Sequence, residues 1–252
     1  NLSCSCMKKI LYPVCVAAAV LFGAVSCQKD APAVDNTPSV ISPDDGTDEE
    51  PEPDPSELLP IKIDADFSDW DALDASKVAE TVCAEDAKWK ALKKMRVYAN
   101  DDYIWMYFEL DESMLKTDAG AVLNVFFNAD NDPSTGGNPL GEHLGNDVDY
   151  MLQGYCYQPG GYSSWSPTFW QYSGKVGAVE WKWDNISASG IGSGSGKAGK
   201  YELQIMRLMM DVPFADTFTV GVDLQQNWIS SGVLPNAKGG AAEKLAVTID
   251  KK

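Results

Sequence analysis

The chain has 252 residues and a formal net charge of −17, with a sequence pI near 4.3. Nucleic-acid binding rests on Lys and Arg neutralising phosphates, so this balance argues against DNA or RNA as a partner. The length suits one domain of ordinary size plus a tether.

At the start, Met7-Lys8-Lys9 precedes an apolar run from Ile10 to Val25, followed by Ser26-Cys27. The run is shorter than the ~20 residues a bilayer span needs, and a charged n-region before a short apolar stretch reads as a signal peptide. The exit Gly23-Ala24-Val25-Ser26-Cys27 resembles the lipobox of bacterial lipoproteins. That resemblance implies cleavage before Cys27 and acylation of its thiol and new amino group. Each buried CH₂ contributes roughly 0.8 kcal/mol, and several chains together give lasting attachment. The competing reading is an ordinary secretory signal with an incidental cysteine. Residues 1–26 are expected to be removed, with Asn1–Cys6 lying upstream of the start at Met7. Cys4, Cys6 and Cys15 leave with the signal, so Cys83 and Cys156 remain, either as one disulfide or as two separate thiols.

Residues 27–60 form the second region. Gln28–Pro60 holds no aromatic residue and eight acidic residues between Asp44 and Glu57. Such a segment cannot bury enough apolar surface to offset its ordering entropy. Pro51, Pro53 and Pro55 alternate with acids, which favours an extended, self-repelling spacer. Gln28-Lys29-Asp30 resembles the short signal that sends some lipoproteins to the outer face of the outer membrane, which implies a domain displayed at the cell surface.

From residue 61 to 252 the pattern becomes that of strands. In Tyr103–Leu110, Ile104, Met106, Phe108 and Leu110 share one face and Tyr103, Trp105, Tyr107 and Glu109 the other, as in a central strand covered on both sides. Ala121–Phe127, Thr217–Leu224 and Leu245–Ile249 are further β-rich or alternating runs, joined by weaker candidates at 95–99, 149–155, 179–183 and 201–206. Asn100-Asp101-Asp102 is turn chemistry. A short helix is expected over 84–94 and a flexible loop over Gly190–Gly199. Many short strands with turn-rich links predict an all-β, antiparallel β-sandwich of jelly-roll type.

Several segments of this region resemble family 9 carbohydrate-binding modules and the related DOMON-like sandwiches. Ile63-Asp64-Ala65-Asp66-Phe67-Ser68-Asp69-Trp70 is similar to that family's first strand, with Ala65 where glycine is usual. Val97–Trp105 resembles its paired strands, with Asn100 replacing an acid. Phe126–Gly136 is similar to a segment rich in Asp and Asn, with Asn128 where Asp is common. Asp149-Tyr150 and Tyr201–Ile205 resemble later strands. The resemblance implies an eight- to ten-stranded sandwich that binds a polysaccharide or oligosaccharide and has no catalytic centre.

Candidate sites follow from residue chemistry. Asp130, Asp132, Asp147 and Asp149 could supply hard oxygens to a structural Ca²⁺, or Asp130-Asn131-Asp132 could be a metal-free Asx turn. Tyr155–Trp183 is dense in aromatics, and pyranose C–H faces stack on such rings. Trp165, between serines and before Pro167, and Trp228, in Gln225-Gln226-Asn227-Trp228, are expected as exposed sugar platforms, with Trp170 and Tyr162 alongside. Trp181 and Trp183 are expected in the sheet core. A haem-binding electron-transfer module is the alternative, since some DOMON-like sandwiches hold haem through Met and His or Lys; Met95, Met106, Met151 and His143 are the candidates. A glycosidase accessory or adhesin subunit is a further reading. No GxSxG, HExxH or zinc spacing occurs, so an enzyme is not expected.

Overall fold

The computed structural model describes residues 59–141, 147–186, 189–236 and 243–251. The signal, Cys27, nearly all of the tether and His143 lie outside them. Within them run thirteen strands: β1 (Ala79–Val82), β2 (Leu92–Ala99), β3 (Tyr103–Leu110), β4 (Ala121–Asn128), β5 (Tyr150–Gln158), β6 (Gly161–Tyr162), β7 (Thr168–Tyr172), β8 (Trp183–Asn185), β9 (Gly192–Lys197), β10 (Lys200–Met206), β11 (Thr217–Gln226), β12 (Ile229–Leu234) and β13 (Leu245–Thr248). Two short helices, α1 (Asp69–Ala72) and α2 (Arg207–Met210), complete the elements used below.

All strand pairs are antiparallel. One sheet has the order β1-β2-β3-β10-β9 and the other β12-β11-β4-β5-β7-β8, with β13 pairing β11 beyond the end of β12. The alternation read from sequence sets the layers. Ile104, Met106 and Phe108 of β3 meet Leu123, Val125 and Phe127 of β4 and Phe218, Val220 and Val222 of β11 in one buried core. This is the antiparallel β-sandwich that the sequence pattern predicts. The opposite face of β3 is also covered. Trp105 and Tyr107 pack with Ile61 and Trp70 from the segment ahead of β1.

That segment is where the sequence expectation needs correction. Ile63–Trp70 is not a strand but a series of turns leading into α1. Asp64 and Asp66 accept the backbone N–H two residues on, at 2.8 and 3.2 Å, which diverts the chain from a ladder. Glu202 of β10 fixes the turn: its Oε1 accepts from the N–H of Asp64 (3.1 Å) and Ala65 (2.8 Å), and its Oε2 from the Trp70 indole (3.3 Å). Ala65 sits at φ +64°, a left-handed conformation that suits glycine.

Three other expectations differ. No helix forms over 84–94. Lys90 bridges Gly232 and β2 begins at Leu92, because pairing with β3 claims these residues despite a bulge between Leu92 and Lys94. The 179–183 strand shrinks to Trp183–Asn185. Gly190–Gly199 is largely a strand, β9, rather than a flexible loop. Its glycines are there for space: a Cβ at Gly194 would lie 2.5 Å from Tyr201 Oη and 2.9 Å from Trp165 Cβ, and one at Gly192 would lie 2.8 Å from Trp165 Cζ3. The glycine run lets two large rings lie under a sheet edge, which is a packing reason and not a flexibility one. Cys83 and Cys156 are separate thiols. Cys83 lies just beyond β1 in one sheet and Cys156 is buried in β5 of the other, where burial pushes its thiol up to about 12.

Candidate functional site

The outer face of the eight-stranded sheet carries the site, and strand register builds it. Residues facing away from the core alternate along each strand, and register aligns them into rows across strands. One row is apolar: Gly221 of β11, Phe126 of β4, Met151 of β5 and Trp170 of β7. The next is polar: Asp223, Asn124, Gln153 and Thr168 on the same four strands. Phe126, Met151 and Val148 form a small buried cluster against which Leu140, Trp170 and Trp183 pack.

Above these rows lies an open groove of about 670 Å³, lined by Pro139, Leu140, Met151, Gln153, Trp170, Trp181, Trp183, Gln225 and Trp228. Trp170 and Trp183 form half-buried walls. Trp181 and Trp228 stand out from them, 49% and 67% exposed. Trp181 meets Trp183 edge-on at 5.6 Å between ring centroids. Trp228 sits in the two-residue turn between β11 and β12, where Asn227 (φ +53°) and Trp228 (φ +63°) both take the left-handed conformation of a type I′ hairpin. A bulky aromatic there is a strained choice, and it raises the ring at the groove's edge.

The floor is a hydrogen-bonded network. Gln153 Nε2 donates to Asn124 Oδ1 (2.8 Å), and Asn124 Nδ2 donates to the Asp223 carbonyl (3.3 Å). Asp223 Oδ2 accepts from Gln225 Nε2 (2.6 Å) and Ser230 Oγ (2.9 Å), while its buried Oδ1 has no partner. Burial dominates those hydrogen bonds and pushes the Asp223 carboxyl up to about 6.

The structure redistributes the residues singled out from sequence. Trp170 and Trp228 are both in the groove. Trp165 is not. It is 1% exposed in the inter-sheet core, with its ring against Gly154, Gly192 and Gly194. Its serine and proline neighbours disguised a core position that three glycines hollow out. Tyr162 is also elsewhere. It stacks on Tyr201 at 6.0 Å, donates to Glu112 Oε1 (2.9 Å) and accepts from the Gly199 N–H (3.1 Å), so it ties β6 to the β9–β10 turn. Trp181, expected in the core, is instead exposed, because its segment does not pair as a strand. Gln153, Asn124, Asp223 and Gln225 were legible only as polar residues on otherwise apolar strands. Asn124 in the middle of AVLNVFF was the signal for the floor.

The four carboxylates considered for calcium do not converge. Asp130 and Asp149 come together around Thr135, whose Oγ1 lies 3.1 Å from Asp130 Oδ2 and 3.4 Å from Asp149 Oδ1. Asp132 is taken up by the backbone and hydroxyl of Ser134, which hold it below the usual carboxylate range. Asp147 accepts from Asn128 Nδ2 (2.7 Å) and pairs with Lys244. Calcium takes six to eight oxygens, and of the four carboxylates Asp130 and Asp149 are the two that lie together. Among the described residues no group of three or more His, Cys, Asp or Glu side chains is arranged to hold a metal. Of the haem candidates, Met95 and Met106 are buried in the inter-sheet core, Met151 lines the groove, and His143 lies outside the described residues.

No family model, curated protein or solved structure matches the chain. The functional reading therefore rests on the groove.

Proposed function

We propose that this chain is a non-catalytic glycan-binding lipoprotein, tethered to the outer membrane through acylated Cys27 and displayed at the cell surface. One observation carries the binding reading. Four tryptophans, two of them prominently exposed, surround a floor of ordered amides in a single groove. Pyranose rings offer apolar C–H faces to indoles and hydroxyls to amides, and the groove has the volume usual for a ligand site. The tryptophans come from two strands and two loops yet share one concave surface, which packing alone does not require. Exposed aromatics of this size cost solvation unless something covers them.

The lining supports binding without turnover. Glycoside hydrolysis needs two carboxyl groups flanking the scissile bond, and the lining contains none among the described residues. Asp223 is the nearest acid of the floor network, and it is wholly buried. The test is a glycan array probed with the unlipidated mature chain, followed by titration calorimetry on the strongest hits. Saturable binding that Trp228→Ala weakens is the expected result. A correctly folded protein that binds no glycan would overturn the proposal.

A further inference from the structure

Resting on the glycan reading, we infer that the groove selects uncharged, hydroxyl-rich glycans and rejects acidic ones, because its two floor glutamines are locked with their carbonyl oxygens free for the ligand.

The lock follows from donor and acceptor chemistry. The Asp223 backbone carbonyl can only accept, so Asn124 must present its Nδ2 there. That leaves Asn124 Oδ1 facing Gln153, which must therefore donate through Nε2. An ionised Asp223 carboxylate likewise only accepts, so Gln225 must also donate through Nε2. Neither glutamine can flip without setting two acceptors or two donors against each other. Both line the groove, and the oxygen of each amide is the end not engaged in the network. Asn124 and Asp223 are thus positioning residues, acting on the ligand through Gln153 and Gln225.

A floor of carbonyl oxygens takes hydroxyl or N–H donors. It repels uronate and sulfate oxygens, which are acceptors carrying negative charge. Nothing in the lining offsets that repulsion: among the described residues it contains no Lys or Arg. The indole N–H groups of Trp170 and Trp183 are enclosed and do not open onto the groove, so they offer an anion no donor there. Asp223 adds a buried negative charge beneath the floor, and the chain's overall charge of −17 acts in the same direction.

The experiment compares matched neutral and acidic polysaccharides by affinity electrophoresis and calorimetry: glucan with polyglucuronate, mannan with polymannuronate, galactan with polygalacturonate. For whichever backbone binds, the neutral member should bind at least about tenfold tighter than its acidic counterpart. Its affinity should also be unchanged by salt, since no ion pair is made. The Asp223→Asn variant supplies the second readout. The new amide can donate to Gln225 Oε1, which frees Gln225 to turn its own NH₂ toward the ligand, so the neutral-to-acidic ratio should fall several-fold. That ratio is insensitive to a simple loss of folded protein. An acidic member that binds as tightly as its neutral partner would overturn the inference and leave the glycan reading standing. An unchanged ratio in Asp223→Asn would overturn the amide lock. Failure of all six polysaccharides, together with an empty glycan array, would remove both readings.

Discussion

Replacing Asp223 by Asn should make the protein more stable at neutral pH, and the gain should vanish in acid. Asp223 is fully buried, with one carboxylate oxygen hydrogen-bonded to Gln225 and Ser230 and the other without a partner. Its carboxyl is pushed to about 6 from an ordinary 3.8, so ionising it in the fold is disfavoured by roughly two pKa units. At 1.36 kcal/mol per unit this amounts to about 3 kcal/mol at most. The sign follows from linkage. The folded state holds this proton up to about pH 6 and the unfolded chain releases it near 4. The contribution is therefore complete below about pH 4 and is lost as pH rises through 6. Asn has no such proton and keeps the shape. Urea unfolding of wild type and Asp223→Asn across roughly pH 4 to 8 reads the difference, with equal m-values confirming that only stability changed. Comparing the two proteins cancels the slopes of other buried acids such as Asp149 and Glu202, whose carboxyls are also raised. A gap that stays flat with pH, or a variant less stable than wild type at pH 7, would refute the reasoning. The same substitution disturbs Gln225, so the stability gain should come with altered glycan selectivity.

Other perturbations follow from the same geometry. Trp228→Ala and Trp181→Ala should each weaken glycan binding about five- to 150-fold, borrowing ~1–3 kcal/mol per ring from stacking on bases, with little change in melting temperature. Trp165→Ala should instead cost ~3–5 kcal/mol of stability as a core truncation; calorimetry and melting curves on the three variants separate the roles, and an early-melting Trp228→Ala would contradict the assignment. Ala65→Gly should stabilise by up to about 1 kcal/mol, since a left-handed position suits glycine; a lowered urea midpoint would count against it. With only Asp130 and Asp149 converging, calcium should raise the melting temperature slightly, and Asp149→Asn should abolish the response while Asp132→Ala leaves it intact. Cys27→Ala should shift the protein from the membrane to the soluble fraction, and unchanged partitioning would remove the lipid anchor.

The sandwich was legible wherever a strand alternates. Tyr103–Leu110 and Thr217–Gln226 have one face of Ile, Met, Phe, Val and Leu, and both became central strands. The site was half legible. Trp228 stood out because its neighbours are amides, and Trp170 because its run is aromatic. Trp165 and Trp181 exchanged places because local composition does not report what lies across a sheet. The space for Trp165 is made by Gly192 and Gly194, distant in sequence, and Trp181 is exposed because its segment fails to pair. The floor network depends on register among β11, β4 and β5, and register emerges only when three separate strands are aligned.

The groove's length scale is set by the backbone. Gln153 is on β5 and Gln225 on β11, with β4 between them. Neighbouring strands lie about 4.8 Å apart, so the backbones that carry the two glutamines are separated by roughly 10 Å across the sheet. The sheet is thus a ruler that sets the spacing of these two strands whatever their side chains are. A ligand that spans both strands must exceed a single sugar ring. Monosaccharides should therefore be poor ligands whatever their identity, and affinity should rise sharply at the first oligomer long enough to bridge both glutamines.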